Sequence, residues 1–325
     1  MNTLTLLSQE RMGAIPKRQR ALQELTSTLS LQRRIRAYDD AIRLSRAGSS
    51  PTDIAYQTGV HSSTIRSWLV DGRKPWTRYE LFKPTPSEQL SYVIGVYMGD
   101  GSISSRENGS MLRLHVKDKE FADKFSATCG NVLGKKPYSV RYVKDRDKYE
   151  TMIGNASFCK FLLQGLSKID PYIRDHPSSF VRGLADSDGC PAVTTTKKRG
   201  KPWFFVQVVV ATSTSIPLLS YTRSILKECF RLKATLVYKG KARTRSYRNT
   251  VFRSRKRVFD LRISRFGDVK QFFNVVGFGL SRKQEKLDAA IMVRERFGCR
   301  REAVDEWNRG WEHGTTEWIG KKGVA

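Results

Sequence analysis

Acidic residues are scarce in this chain: 31 Asp and Glu stand against 59 Lys and Arg, a formal net charge of +28 at pH 7 over 325 residues. That imbalance argues against a basic partner and points to a polyanion such as nucleic acid. The five cysteines, Cys129, Cys159, Cys190, Cys229 and Cys299, form no C-x-x-C pair, and the four histidines, His61, His115, His176 and His313, do not cluster. Neither a zinc site nor a disulfide framework is therefore expected. No Glu is followed two positions later by Lys, which counts against a restriction-type D…E-x-K nuclease, and the scattered histidines count against a histidine-metal one. No apolar run approaches the roughly 18 residues of a membrane span, and the amino terminus lacks a signal-peptide pattern. A soluble intracellular protein without membrane contact is the expectation. With 39% hydrophobic residues, the chain can still bury a full core, in two or three domains.

What it has instead is a repeat. Tyr92-Val93-Ile94-Gly95-Val96-Tyr97-Met98-Gly99-Asp100-Gly101 and Phe180-Val181-Arg182-Gly183-Leu184-Ala185-Asp186-Ser187-Asp188-Gly189 read almost alike. Each predicts an apolar helix ending in an Asp-Gly pair, with Gly101 and Gly189 allowing a left-handed turn that stops the helix. An Asp at a helix C-terminus opposes the helix dipole, a cost that a bound divalent cation would offset. Gly95 and Gly99, like Gly183 and Ser187, are small residues one turn apart, which lets two helix backbones approach closely. Packing along those faces would bring Asp100 and Asp188 together, and two acids sharing metal make a phosphodiesterase site.

These segments resemble the LAGLIDADG family of homing endonucleases in its single-chain, two-motif form. Val93 to Gly101 and Val181 to Gly189 fill the nine-residue pattern, with Gly95 and Gly183 at its first glycine and Asp100 and Asp188 at its metal-binding acid. The first copy departs from the pattern at Met98, where an acid is common and usually serves as a structural cap; the second keeps Asp186. The resemblance spans roughly residues 80 to 297 and implies Mg2+ (or Mn2+) at Asp100 and Asp188, with Gly99 and Ser187 as adjoining metal positions. It also implies a monomer that cuts both strands of double-stranded DNA at a long, asymmetric target. A lysine follows the last helix of each half in the family. Lys283, in Gly277-Phe278-Gly279-Leu280-Ser281-Arg282-Lys283, matches that context well, and Lys168, in Gly165-Leu166-Ser167-Lys168, less fully. Such a lysine would stabilise developing charge or order the attacking water, or else merely neutralise phosphate. A non-cleaving transcriptional regulator or an RNA-binding intron maturase on the same scaffold is the alternative, although retention of both acids favours cleavage.

The rest of the chain reads as an α-β-β-α-β-β-α order repeated twice. In the first half, strands fall near 101–105 and 111–116, a helix over about 118–133, strands over 138–144 and 148–153 joined by the turn Asp145-Arg146-Asp147, and a helix near 156–166. In the second, a longer hairpin through 194–212 precedes a helix over 215–230, strands near 235–239 and 258–264, and a helix near 268–276. The expected class is α+β: a pseudo-symmetric pair of αββαββα homing-endonuclease-like halves, 81–176 and 177–297, which by the resemblance form a DNA-binding saddle. An all-α helix-turn-helix domain precedes them over 1–80, and a tail with Trp307, Trp311 and Trp318 follows over 298–325.

Strand alternation nominates contact residues. Leu112, Leu114 and Val116 alternate with Arg113, His115 and Lys117, and Tyr138 to Lys144 does much the same with Ser139, Arg141 and Lys144, so the polar faces are placed to read base edges. In the second half the candidates are Lys197, Lys198 and Arg199 in the long hairpin, then Lys239, Lys241, Arg243, Arg245, Arg253, Arg255, Arg257 and Arg262. The stretch from Lys239 to Arg265 has eleven Lys or Arg and one acid, Asp260, whereas a face kept only for solubility usually mixes signs.

Upstream, Ser50-Pro51-Thr52-Asp53 starts a helix with a capping Ser, Pro in the first turn and an early acid; Gly59 breaks it, and Ser62 to Val70 forms a second helix. Ala55, Gly59 and Ile65 fall where a helix-turn-helix, here about 36–72, needs a small contact, a turn glycine and a branched core residue. The stretch resembles DNA-binding modules of that kind, with Ser63, Thr64, Arg66 and Ser67 on the recognition face.

Overall fold

The computed structural model describes residues 33–75, 82–106, 109–198, 200–241, 245–247, 250–252, 257–314 and 318–321. The chain divides into two compact units, Met1–Glu80 and Leu81–Ala325.

The described part of the first unit is helical: α1 over 33–46, α2 over Pro51–Thr58 and α3 over Ser62–Leu69. Ser50 caps α2 by accepting from the Asp53 amide at 3.2 Å, and Gly59 stops it at φ 66°, where an L side chain would be strained. His61 caps α3 through Nδ1, which accepts from the Ser63 amide. Ala41, Ile54, Ile65 and Trp68 form a small core, with Tyr38 packed edge-on against Trp68 at 5.5 Å.

The second unit mixes helices with antiparallel sheets. Its order is α4 (Glu88–Met98), β1 (Gly101–Arg106), β2 (Gly109–Val116), α5 (Lys119–Val132), β3 (Val140–Val143), β4 (Lys148–Gly154), α6 (Ala156–Leu162) and α7 (Leu166–Arg174). It continues through α8 (Pro177–Asp188), β5 (Cys190–Lys198), β6 (Lys201–Ser213), α9 (Ile216–Phe230), β7 (Ala234–Lys241), β8 (Arg245–Tyr247), β9 (Thr250–Phe252), β10 (Arg257–Ile263), α10 (Phe266–Val275), α11 (Ser281–Phe297) and α12 (Arg301–Gly310). A short pair, β11 (Trp311–His313) and β12 (Trp318–Gly320), follows. The two larger sheets run β1-β2-β4-β3 and β5-β6-β10-β7, so each follows a helix that carries one of the repeated segments.

Alternation explains the sheets: Leu112, Leu114 and Ile153 of the first, and Val206, Val208, Leu261 and Ile263 of the second, lie in one buried core with the inner faces of α4 and α8. Several boundaries differ from expectation. The helix expected over 156–166 ends early, as α6 at Leu162, and Gly165 at φ 86° precedes a further helix, α7, that was not expected. The strand expected over 138–144 shortens to β3, followed by a 3-10 turn at Lys144–Arg146 and a left-handed Asp147. The long hairpin extends to Cys190–Ser213, and β8 with β9 makes a further hairpin that the pattern did not reveal. The tail packs on the second sheet: Trp307 is buried against Phe204 and stacks on Trp311 at 4.8 Å, and the Phe204 amide donates to Cys299 O.

Candidate active site and nucleic-acid face

The repeated segments become α4 and α8, which pack backbone to backbone. A Cβ on Gly95 would overlap Phe180 O and lie 2.9 Å from Leu184 N; one on Gly183 would overlap Tyr92 O and lie 3.1 Å from Val96 N. The contact is reciprocal, and any side chain at either glycine would push the helices apart. One turn on, a Cβ on Gly99 would collide with Ser187 and come within 3.2 Å of Asp188 Oδ2, so the C-terminal ends of the helices meet beside the two acids.

Gly101 and Gly189 are not the left-handed stops expected of them. Gly189 is extended at φ −98°, ψ 164°, and Gly101 is not among the residues with positive φ. Glycine is required at both for room: a Cβ on Gly189 would sit 2.6 Å from Val210 O, and one on Gly101 would sit 2.6 Å from Tyr97 Cα.

Asp188 feels the crowding. Burial first, and then the charge of Asp100, push its carboxyl up to about 7, with Lys283 opposing. Burial also raises Asp100, opposed by Lys283 and Lys148. Two carboxylates brought together at helix C-termini make a hard-oxygen donor pair for a cation. No group of three or more His, Cys, Asp or Glu that could hold a metal occurs among the described residues. A pair of carboxylates still suits Mg2+ or Mn2+, ions that complete their shells with water and phosphate oxygens. The pair therefore fits the group, with Gly99 packed against Ser187 beside Asp188.

Lys283 is 5% exposed, and its ammonium donates to three main-chain carbonyls, Ala185 at 3.0 Å, Asp186 at 2.6 Å and Gly189 at 2.7 Å. It caps the C-terminus of α8, where a cation complements the dipole. Burial lowers its pKa, opposed by Asp186. Lys168 lies exposed in the first turn of α7. The cations whose charge acts on Asp100 are Lys283 and Lys148, the latter on β4 and unremarkable in sequence.

Asp186 is 1% exposed and ties three elements together: the Tyr92 hydroxyl of α4 donates to it at 2.8 Å, the Gly279 amide donates at 2.8 Å, and Lys124 of α5 lies 3.7 Å away. Met98, its counterpart in the first segment, instead lines an open cavity of about 460 Å³ with Tyr97, Gly99, Leu162 and Leu166.

On the polar face of the first sheet, His115 and Arg141 both reach Glu150, a buried acid the sequence reading did not single out. His115 Nε2 lies 3.1 Å from Glu150 Oε1, and the Arg141 guanidinium donates to Oε2 through two nitrogens. Arg113 presents a buried Nε without a hydrogen-bond partner among the described residues, Lys117 pairs with Asp147 at 3.2 Å, and Lys144 is exposed in the turn. The second sheet has the same device at Asp260, which accepts from Thr212 at 2.7 Å and Arg262 at 2.6 Å and lies 3.4 Å from Lys239. Lys197 and Arg257 are exposed on β5 and β10. Lys198, Lys241 and Arg245 belong to β5, β7 and β8, while Arg199, Arg243, Arg253 and Arg255 lie outside the described residues. In the first unit Ser63 and Arg66 of α3 are exposed and Thr64 and Ser67 half-buried, with Ser63 Oγ 2.8 Å from His61 Nδ1.

No family model matches the chain. An uncharacterized protein of Methanocaldococcus jannaschii is 27% identical over 248 residues, 75% of this chain and 86% of that protein. A second uncharacterized protein of the same organism is 28% identical over 131 residues, 38% of this chain and 48% of its own length. Among solved structures, I-DmoI in complex with DNA and Mn matches 59% of this chain and 97% of its own at 15% identity and a TM-score of 0.38. Full-length DUF199/WhiA from Thermatoga maritima matches 70% of this chain and 68% of its own at 17% identity and a TM-score of 0.40.

Proposed function

We propose that this chain is a site-specific DNA endonuclease of the LAGLIDADG kind that hydrolyses phosphodiester bonds in both strands of a long, asymmetric duplex target. The observation that carries this reading is the packing of α4 on α8 through Gly95 and Gly183, which makes the charge of Asp100 act on Asp188 at one end of the helix pair. Magnesium or manganese held by Asp100 and Asp188, beside Gly99 and Ser187, would supply Lewis-acid stabilisation of the phosphate and an activated water. Asp100 and Asp188 hold the site's negative charge, and Lys148 places a cation within electrostatic reach of Asp100. Lys283 orders the end of α8 and so fixes where Asp188 projects. Lys168 acts on phosphate or not at all.

The polar faces of the two four-stranded sheets form the duplex-binding surface, one on each half-site, and the chain acts as a monomer because both acids come from it. In the amino-terminal unit, α2 and α3 act as a helix-turn-helix, with Ser63 and Arg66 of α3 at the major groove. The net charge of +28 supplies the phosphate attraction common to both.

Incubation of the full chain with a randomised duplex library and magnesium, followed by sequencing of broken ends, tests the reading. A recurrent cut site lost in Asp100→Asn and Asp188→Asn supports it; unbroken DNA sinks the cleavage claim. One observation favours a non-cleaving duplex binder instead: all three donors of Lys283 are taken by main-chain carbonyls, so none is free for a scissile phosphate. Selective binding of the same library without cutting would establish that second reading.

A further inference from the structure

A surface built to meet a polyanion has little use for buried acids, yet each large sheet carries one on its polar face. Glu150 is 5% exposed and Asp260 1%. They occupy corresponding places, on β4 and β10, the strands third in each sheet's order. Neither serves the hydrophobic core: Leu114, Val116 and Ile153 around Glu150, and Leu261 and Ile263 around Asp260, point to the opposite face.

Above each acid stand basic side chains that remain partly in solvent. Arg141 and His115 cover Glu150 with side chains 63% and 24% exposed, and Lys239 and Arg262 cover Asp260 at 53% and 30%. Arg141 comes from β3 and His115 from β2, and both are register partners of Glu150, so three strands contribute to one cluster. Thr212 of β6, the register partner of Asp260, donates to Oδ1 and leaves Oδ2 for the guanidinium of Arg262. In both clusters the carboxyl is held below its ordinary range: burial would raise it, and the surrounding partners together outweigh that effect, Arg141 with His115 and Arg113 at Glu150, and Arg262 with Thr212 and Lys239 at Asp260.

An arginine on a strand samples many rotamers, and ordering it on binding costs affinity for the one sequence that needs it ordered. A buried carboxylate that fixes one edge of the guanidinium removes that cost beforehand and leaves the other edge aimed outward. It also subtracts one positive charge from the attraction to any phosphate, right sequence or wrong.

We propose that Glu150 and Asp260 are positioning residues for sequence discrimination, each holding the basic side chains of its own sheet in the orientation that reads one half-site while weakening indiscriminate binding. This rests on the duplex-binding reading above. The acids touch no base; they act through Arg141 and His115 on one side and Arg262 and Lys239 on the other.

The test is selection from a randomised duplex library by the full chain in calcium, comparing wild type, Glu150→Gln, Asp260→Asn and Arg141→Lys, with affinity for the unselected pool measured over a salt series. In Glu150→Gln the preference for the selected site should fall about tenfold, the scale of one bidentate base contact. Pool affinity should rise, and its salt slope should steepen by about one unit as a cation is freed for phosphate. Asp260→Asn should do the same in the other half-site. Arg141→Lys keeps the charge and loses the fork, so it should blur the same positions as Glu150→Gln without raising pool affinity; being largely exposed, it tests the idea even if Glu150→Gln unfolds. Unchanged selectivity in folded Glu150→Gln and Asp260→Asn, or in Arg141→Lys, overturns the inference. Wild type that selects no sequence and binds no duplex would overturn the functional reading itself.

Discussion

Gly95 and Gly183 face each other's helix so closely that a methyl on either would overlap a carbonyl oxygen, of Phe180 in one case and Tyr92 in the other. Close approach of α4 and α8 is thus written into two positions. Gly95→Ala and Gly183→Ala should each destabilise by about 1–3 kcal/mol or more through overpacking against backbone. Gly154→Ala, at the end of β4 where a Cβ meets nothing within 4 Å, should stay within about 0.5 kcal/mol. Urea unfolding of the three variants checks this, and a tolerated Gly95→Ala would mean the helices are not packed at that distance.

Asp188 should cost stability at neutral and alkaline pH. Its carboxyl ionises near 7 in the folded chain against an ordinary value of 3.8, so the folded state holds the proton more tightly. Its contribution is most favourable below about pH 4 and is lost as pH rises through about 7. Asp188→Asn should raise Tm at pH 8 by an amount equivalent to roughly 1–2 kcal/mol, after allowance for solvent screening, with the gain vanishing near pH 4. A Tm below wild type at pH 8 would contradict the crowding of the two acids.

Divalent cation should relieve the same repulsion. Magnesium or calcium added at pH 8 should raise the Tm of the wild-type chain, as any ligand of the folded state does, and do so much less in Asp100→Asn or Asp188→Asn. Equal shifts in all three would place the ion elsewhere.

The two lysines named from sequence should separate in their effects. Lys283→Met removes the ammonium from the carbonyls of Ala185, Asp186 and Gly189, of which Ala185 keeps the Gly189 amide, and should cost about 2–3 kcal/mol. Lys168→Met, at an exposed position, should stay within about 0.5 kcal/mol. Calorimetry of both variants decides it; identical melting curves would remove the capping role.

Residues 81–325 carry a core of their own, so that fragment should unfold cooperatively when expressed alone. On the selected target it should protect fewer base pairs and show a shallower salt dependence than the full chain, because phosphate contacts of the amino-terminal unit are gone. An unchanged footprint would leave α2 and α3 with a packing role only.

Much of this architecture is local and so could be read directly. Ser50 and Gly59 bound α2 through their own capping and backbone preferences, and Leu112, Leu114 and Val116 fall on the core face because side chains alternate along a strand. The repeat around Asp100 and Asp188 likewise marks two helices with small residues at matched places. Gly165 was visible too, but its left-handed backbone, which separates α6 from the unexpected α7, is set by the path the chain must take. What Lys283 touches depends on where α11 lands against α8, and no pattern near residue 283 encodes the carbonyls of residues 185, 186 and 189. The gathering of His115 and Arg141 on Glu150 depends on strand register, which a slip of one residue would undo by turning side chains to the opposite face. Sequence by itself determined which residues bear charge and where most of the helices and strands lie, since those follow from neighbours a few positions away. Tertiary structure alone decided which charges meet, because residues far apart along the chain become partners only once packing sets the distance between them.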